Sequence, residues 1–196
     1  MWAHDEEVST PNARTGLPIY LGPELPRWQP RTVEDVQKAI DDGTLAECHW
    51  LDVKAEVGTT DSTKKGFAKD LAAFANDGGV LLIGVREDKP SQTLTVEPVL
   101  LDGLPEAVDQ IARSRCDPPL YVICHPLAAP APADGKVRGV LLVEIPPSPS
   151  APHMVDHRYH GRSDTTNISS PTMTWHACTR YAPRAKPPPN RSLPLK

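Results

Sequence analysis

Asp52 and Lys54 stand two residues apart in Trp50-Leu51-Asp52-Val53-Lys54, a segment that alternates in character as a strand does. The alternation turns Leu51 and Val53 to one face and Trp50, Asp52 and Lys54 to the other. A carboxylate and an ammonium therefore point the same way, which on its own describes a solvated strand face. A second group of polar residues runs from His153 to Arg162. Arg158 and Arg162 offer planar forks for phosphate oxygens and Tyr159 offers a stacking face, so with His153 they face a phosphate or simply water. His153, His157 and His160 invite a metal reading, but Pro149 and Pro152 disfavour a helix there and no acid or thiol completes a ligand set. Cys48, Cys116, Cys124 and Cys178 form no CxxC pair and read as free thiols, mostly buried.

The elements that position these residues follow from periodicity. Thr32-Val33-Glu34-Asp35 has the form of a capping box, and Val33, Val36 and Ile40 follow at helical spacing until Gly43. Ser62 or Thr63 is the expected cap of a second helix with Phe67, Leu71, Phe74 and Ala75 on its apolar face, ended by Asn76-Asp77-Gly78-Gly79. The run Val80 to Val85 is apolar throughout, as a central strand buried on both faces requires. Arg86 to Pro90 then forms a charged turn into a hairpin partner, Thr93 to Val96. Pro105 opens a third helix carrying Val108, Ile111 and Ala112, and strands are expected at Leu120 to Cys124 and Val137 to Ile145. Hairpins mixed with helices predict an α+β fold, a single domain whose mixed sheet is flanked by helices, and argue against a doubly wound nucleotide fold.

Composition sets the outer limits. The chain has 196 residues, enough for one domain of ordinary size with tails. Of its 23 prolines, five fall in the first 30 residues and five in the last 14, with none from Arg31 to Lys89. Residues 1–30 thus read as an irregular proline-rich arm, 31–175 as the domain and 176–196 as a basic proline-rich tail. No stretch approaches the roughly 18 apolar residues of a membrane span, and Met1 to Thr10 is acidic where a signal peptide would be basic, so a cytoplasmic protein without membrane partners is expected. The net charge of −4 is uneven: residues 1–60 hold 11 acids and 5 bases, and residues 157–196 hold 7 bases and 1 acid. Nucleic-acid phosphates would be drawn to the C-terminal part. No GxxxxGK[ST] loop occurs, which sets ATP aside.

The block Phe67-Ala-Lys-Asp-Leu-Ala-Ala-Phe74-Ala-Asn76-Asp-Gly78-Gly79-Val-Leu-Leu-Ile83-Gly84-Val85 has a structural reason, a helix turning sharply into a buried strand. It also resembles the signature of the Schlafen AlbA-type domain. So do, in order, Glu47 to Lys54, Cys116-Asp-Pro-Pro119, Val140 to Pro146, Pro152-His153 and Tyr159-His-Gly161-Arg162-Ser-Asp164-Thr-Thr166, over about residues 32–172. The resemblance implies an AlbA-like α+β fold and a stand-alone module that binds the phosphate backbone of DNA or RNA through Lys54, His153, Arg158, Tyr159 and Arg162.

Some animal relatives cleave RNA with a metal ion, and the resemblance carries their acids onto Glu47 and Asp52, their lysine onto Lys54, and a third acid onto Glu87 or Asp88, behind Arg86. Mg²⁺ or Mn²⁺ would then sit at Glu47 and Asp52. Those two are five residues apart and converge only if a bend breaks the strand between them. The alternatives to backbone binding are thus a metal-dependent endoribonuclease and a regulatory protein-interaction domain whose nucleic-acid face has decayed. Relatives with two copies of the lobe form a U-shaped pair lining a basic channel, so a chain with one copy is expected to form a homodimer.

Overall fold

Thr32 caps the first helix, α1 (Val33–Asp41), of the computed structural model: its hydroxyl accepts from the Asp35 amide, and the Asp35 carboxylate accepts from the Thr32 amide. The structure describes residues 28–88, 90–91, 93–130, 135–163 and 166–170. The distal arm, the tail with Cys178, and Asp164 and Thr165 lie outside them.

Strand β1 (Leu51–Lys54) leads into α2 (Asp61–Phe74) and then β2 (Gly79–Ile83), which runs parallel to β1 with Asp52 opposite Leu81 and Lys54 opposite Ile83. Helix α2 starts ahead of the expected Ser62 or Thr63. Thr60 is the cap, because its hydroxyl reaches the Thr63 amide and leaves both expected residues inside the first turn. At the far end the helix turns straight into β2, and a Cβ on Gly79 would stand 2.1 Å from the Phe74 ring, so only glycine admits that aromatic at the corner. The expected strand Val80 to Val85 is divided. Gly84 has φ +97° and lies too close to the Gly139 carbonyl for any side chain, and the chain leaves the sheet there to form the hairpin of β3 (Val85–Asp88) and β4 (Thr93–Val96).

Strand β5 (Val99–Leu100), helix α3 (Leu104–Arg115), β6 (Ile123–Ala128) and β7 (Arg138–Ile145) complete the main layer. In the five-stranded mixed sheet β7 pairs with β2 and β5 along one side and with β6 along the other. β6 lies three residues later than expected. Leu120 and Val122 are buried but irregular, and Pro126 sits in the strand because an edge position tolerates a missing amide donor. Alternate residues of β2 feed two cores, Leu81 and Ile83 against α2 and α3, and Val80 and Leu82 against α1. This is why the strand is apolar throughout.

The polar segment after Pro152 is a second sheet. β8 (Met154–Val155), β9 (Arg158–Arg162) and β10 (Asn167–Ser170) pair antiparallel and pack on α2. The turn from β8 to β9 is made by Asp156 and His157, both with positive φ, and no glycine marks it in the sequence.

Candidate functional site

The break between Glu47 and Asp52 is a tight turn. The Cys48 amide donates to the Leu51 carbonyl at 3.0 Å and the Leu51 amide donates back at 3.3 Å, which folds Glu47 over β1. There Glu47 Oε1 accepts from the Val53 amide at 3.2 Å, alongside Asp52 Oδ1 at 3.1 Å. The parallel register of β1 turns Asp52 and Lys54 toward α2, where Asp70 waits. Lys54 Nζ lies 2.8 Å from Asp52 Oδ2 and 3.3 Å from Asp70 Oδ2, and the Asn167 amide of β10 donates to the other Asp70 oxygen. From β9, Arg162 reaches in behind them: Nη2 donates to the Cys48 carbonyl at 2.9 Å, Nη1 lies 3.7 Å from Asp52 Oδ2, and the guanidinium sits 4.2 Å over the Phe74 ring. Glu47, Asp52, Lys54, Asp70, Arg162 and Asn167, with Glu87, line an open cleft of about 390 Å³.

The charges in it are coupled. Burial, and then the hydrogen bond and charge of Asp52, push the Glu47 carboxyl up to about 7, with Glu87 adding to the effect. Burial also raises Asp70 above the usual carboxylate range, although Lys54 pulls it down. Burial works against the charge on Lys54, but Asp70 and then Asp52 outweigh it and hold the ammonium above its ordinary value. A carboxyl near 7 holds or gives up a proton at physiological pH.

It also has a consequence for stability. A carboxyl with a folded pKa above its unfolded one contributes stability that is complete below the ordinary value of 4.5 and is lost as pH rises through about 7. Between those limits wild type should lose stability more steeply than Glu47→Gln, with Asp70 keeping the variant's curve from being flat. Denaturant titrations at pH 4.5 and 7.5 measure this; equal pH dependence in both proteins would refute it.

Residues 47–170 match the Schlafen, AlbA_2 family, well over half of the chain. The chain belongs to the Schlafen AlbA_2 family. None of the curated proteins matches it. Among solved structures, the crystal structure of the DIP2311 protein from Corynebacterium diphtheriae is similar at 18% identity and a TM-score of 0.38, covering 62% of this chain and 22% of that one. The chain thus spans less than a quarter of that protein's length. Helix α1 lies ahead of the Schlafen AlbA_2 match, yet its Val33, Val36 and Ala39 are buried against β1, β2 and β7.

Of the acids that the family resemblance singles out, Glu47, Asp52 and Glu87 meet in the cleft with Lys54. Asp88 does not. It is exposed on the hairpin and accepts from the Ser91 hydroxyl. Arg86, next to Glu87 in the chain, pairs with Glu97 at 2.7 Å. Asp70 and Asn167 were not foreseen, because nothing local in α2 or β10 tells which strand residue each will face.

The residues assigned to nucleic acid are scattered. Arg158 is exposed and Tyr159 half-buried, whereas the Arg162 side chain is only 3% exposed. His153 is fully buried. Its Nδ1–H donates to the Pro118 carbonyl at 2.6 Å, which leaves Nε2 to accept from the Ser148 hydroxyl at 2.7 Å, so both ring nitrogens are spent within the fold. For Mg²⁺ or Mn²⁺, no three His, Cys, Asp or Glu residues among those described are placed to share an ion. Asp52 Oδ2 already faces Lys54 and Arg162, and the side chains as arranged do not fit a divalent cation.

Proposed function

We propose that the domain is a nucleic-acid-binding module that contacts the phosphate backbone of DNA or RNA and works as a homodimer. Membership of the Schlafen AlbA_2 family supports the binding reading. The observation that carries it is Lys54. Of its three donors, Asp52 and Asp70 take two and so fix the ammonium at the floor of an open cleft, with a third of the side chain still exposed. A cation held in one place loses little entropy when it donates to a phosphate oxygen. The cleavage reading has one observation in its favour, the convergence of Glu47, Asp52 and Glu87, but Asp52 is already engaged by two cations.

Labelled structured RNA and duplex DNA should bind at low salt, each phosphate contact adding about 0.7 to 0.9 to the log–log salt slope, and Lys54→Ala should weaken both. Light scattering should return twice the chain mass of 21.4 kDa. Absence of binding at low salt would leave the protein-interaction reading, and a monomer at tens of micromolar would remove the dimer.

A further inference from the structure

The cleft by itself is a poor attractor of polyanions, since four carboxyls (Glu47, Asp52, Asp70 and Glu87) face the cations Lys54 and Arg162, with Arg86 paired to Glu97 at its rim. Long-range attraction to a nucleic acid has to come from another surface. We propose that this surface is the face where Lys65 and Lys69 of α2 meet His157 and Arg158 of the β8–β9 turn, and that it docks on nucleic-acid phosphates. The inference rests on the nucleic-acid reading above and adds to the Lys54 cleft the face that draws the polyanion in.

Three observations carry it. Lys65 and Lys69 are one helical turn apart and so share a face of α2, the helix on which the second sheet packs. Lys65 Nζ reaches Asp156 Oδ2 at 2.5 Å, which pins the turn to the helix and brings His157 and Arg158, both exposed, beside the two lysines. The grouping shows in the electrostatics. The Lys65 hydrogen bond, with Lys69 and His157 contributing, holds Asp156 below the usual carboxylate range. Burial, then Lys69 and Arg158, hold His160 beneath the turn below its ordinary value, against the pull of its Val155 bond and Asp70.

The acids on this face are Asp156 itself, Asp61 one turn ahead of Lys65 and paired with Arg115, and, at its margin, Asp117, whose amide and carbonyl pair with Met154. Cations are therefore in excess. The turn adds a further argument. Its two positive-φ positions suit Asn-Gly or Asp-Gly, but the second is His157 at φ 58°. That conformation leaves His157 exposed beside Arg158 on this face.

Lysines supply point charges and Arg158 a planar fork, a set that suits a run of phosphates without reading bases. The test compares wild type, Lys69→Ala/Arg158→Ala and Asp156→Asn for binding to duplex DNA and single-stranded RNA between 50 and 200 mM salt. The double variant should lower the salt slope by about 1.4 to 1.8, the share of two phosphate contacts. Asp156→Asn keeps a residue that tolerates positive φ and, in its Oδ1, an acceptor for Lys65, while removing the negative charge, and it should bind more tightly than wild type, an outcome that misfolding cannot imitate.

An unchanged slope in the double variant, with binding intact, would overturn this face and leave the nucleic-acid reading standing. Failure of wild type to bind either nucleic acid would overturn both. Binding to phosphatidylserine vesicles, lost in the double variant, with no binding to DNA or RNA would assign the face to a lipid surface and likewise overturn the proposal.

Discussion

Phe74→Ala should lower the stability of the domain by about 3–5 kcal/mol, the cost of emptying a buried aromatic site. The ring is 1% exposed, and three things converge on it: the apolar face of α2, the backbone of Gly79 where a side chain is excluded, and the Arg162 guanidinium on its face. Alanine would leave a cavity at the corner where α2 enters β2, and it would remove the surface against which Arg162 is held. The guanidinium would then be free to leave Asp52 and the Cys48 carbonyl, so the cleft should loosen together with the core. For a domain of this size the loss corresponds to a melting temperature lower by roughly 6–20 °C. A variant that melts within two degrees of wild type would mean that the ring is not in the core.

Asp52→Ala should also be strongly destabilising, by on the order of 3–5 kcal/mol, because it leaves the buried Arg162 without a carboxylate and Lys54 with one fewer. Arg162 is only 3% exposed, and Lys54 would keep Asp70 alone. Asp88→Ala, in contrast, should change stability by no more than about 0.5 kcal/mol, since its side chain stands in solvent on the β3–β4 hairpin. Denaturant titration of the two variants side by side separates them, and equal effects would show that the ion cluster around Asp52 does not hold the cleft.

The comparison also determines how RNA cleavage must be tested. Loss of turnover in Asp52→Ala could report unfolding, whereas Glu47→Gln removes a titrating carboxyl and keeps its size and its bond to the Val53 amide. In a Mn²⁺ assay little or no turnover is expected from wild type. Robust turnover that Glu47→Gln abolishes would make the protein an enzyme.

What could be read from the residues alone was whatever local energetics decide. The Thr32 capping box, the apolar face of α2 and the two-sided burial of β2 all came from spacings of one to four residues, where helix and strand periods are expressed directly. The shared face of Asp52 and Lys54 was legible for the same reason. Misplaced features were those with a tertiary cause. The β8–β9–β10 sheet is short and polar and is held by packing on α2, β6 is placed by pairing with β7, and α2 begins at whichever of several threonines and serines reaches the Thr63 amide.

The cleft divides along the same line. The sequence indicated Glu47, Asp52, Lys54 and Glu87 as candidates, but their convergence needed the Cys48–Leu51 turn, which only the folded chain displays. Asp70, Asn167 and the buried placement of Arg162 come from elements up to 114 residues apart in sequence, and no local preference encodes such a contact. Likewise the sequence shows a basic Arg158, but the folded chain alone brings Lys65 and Lys69 to it. Charges repel or pair through space, so which cations gather on one face is settled by the packing of the second sheet against α2.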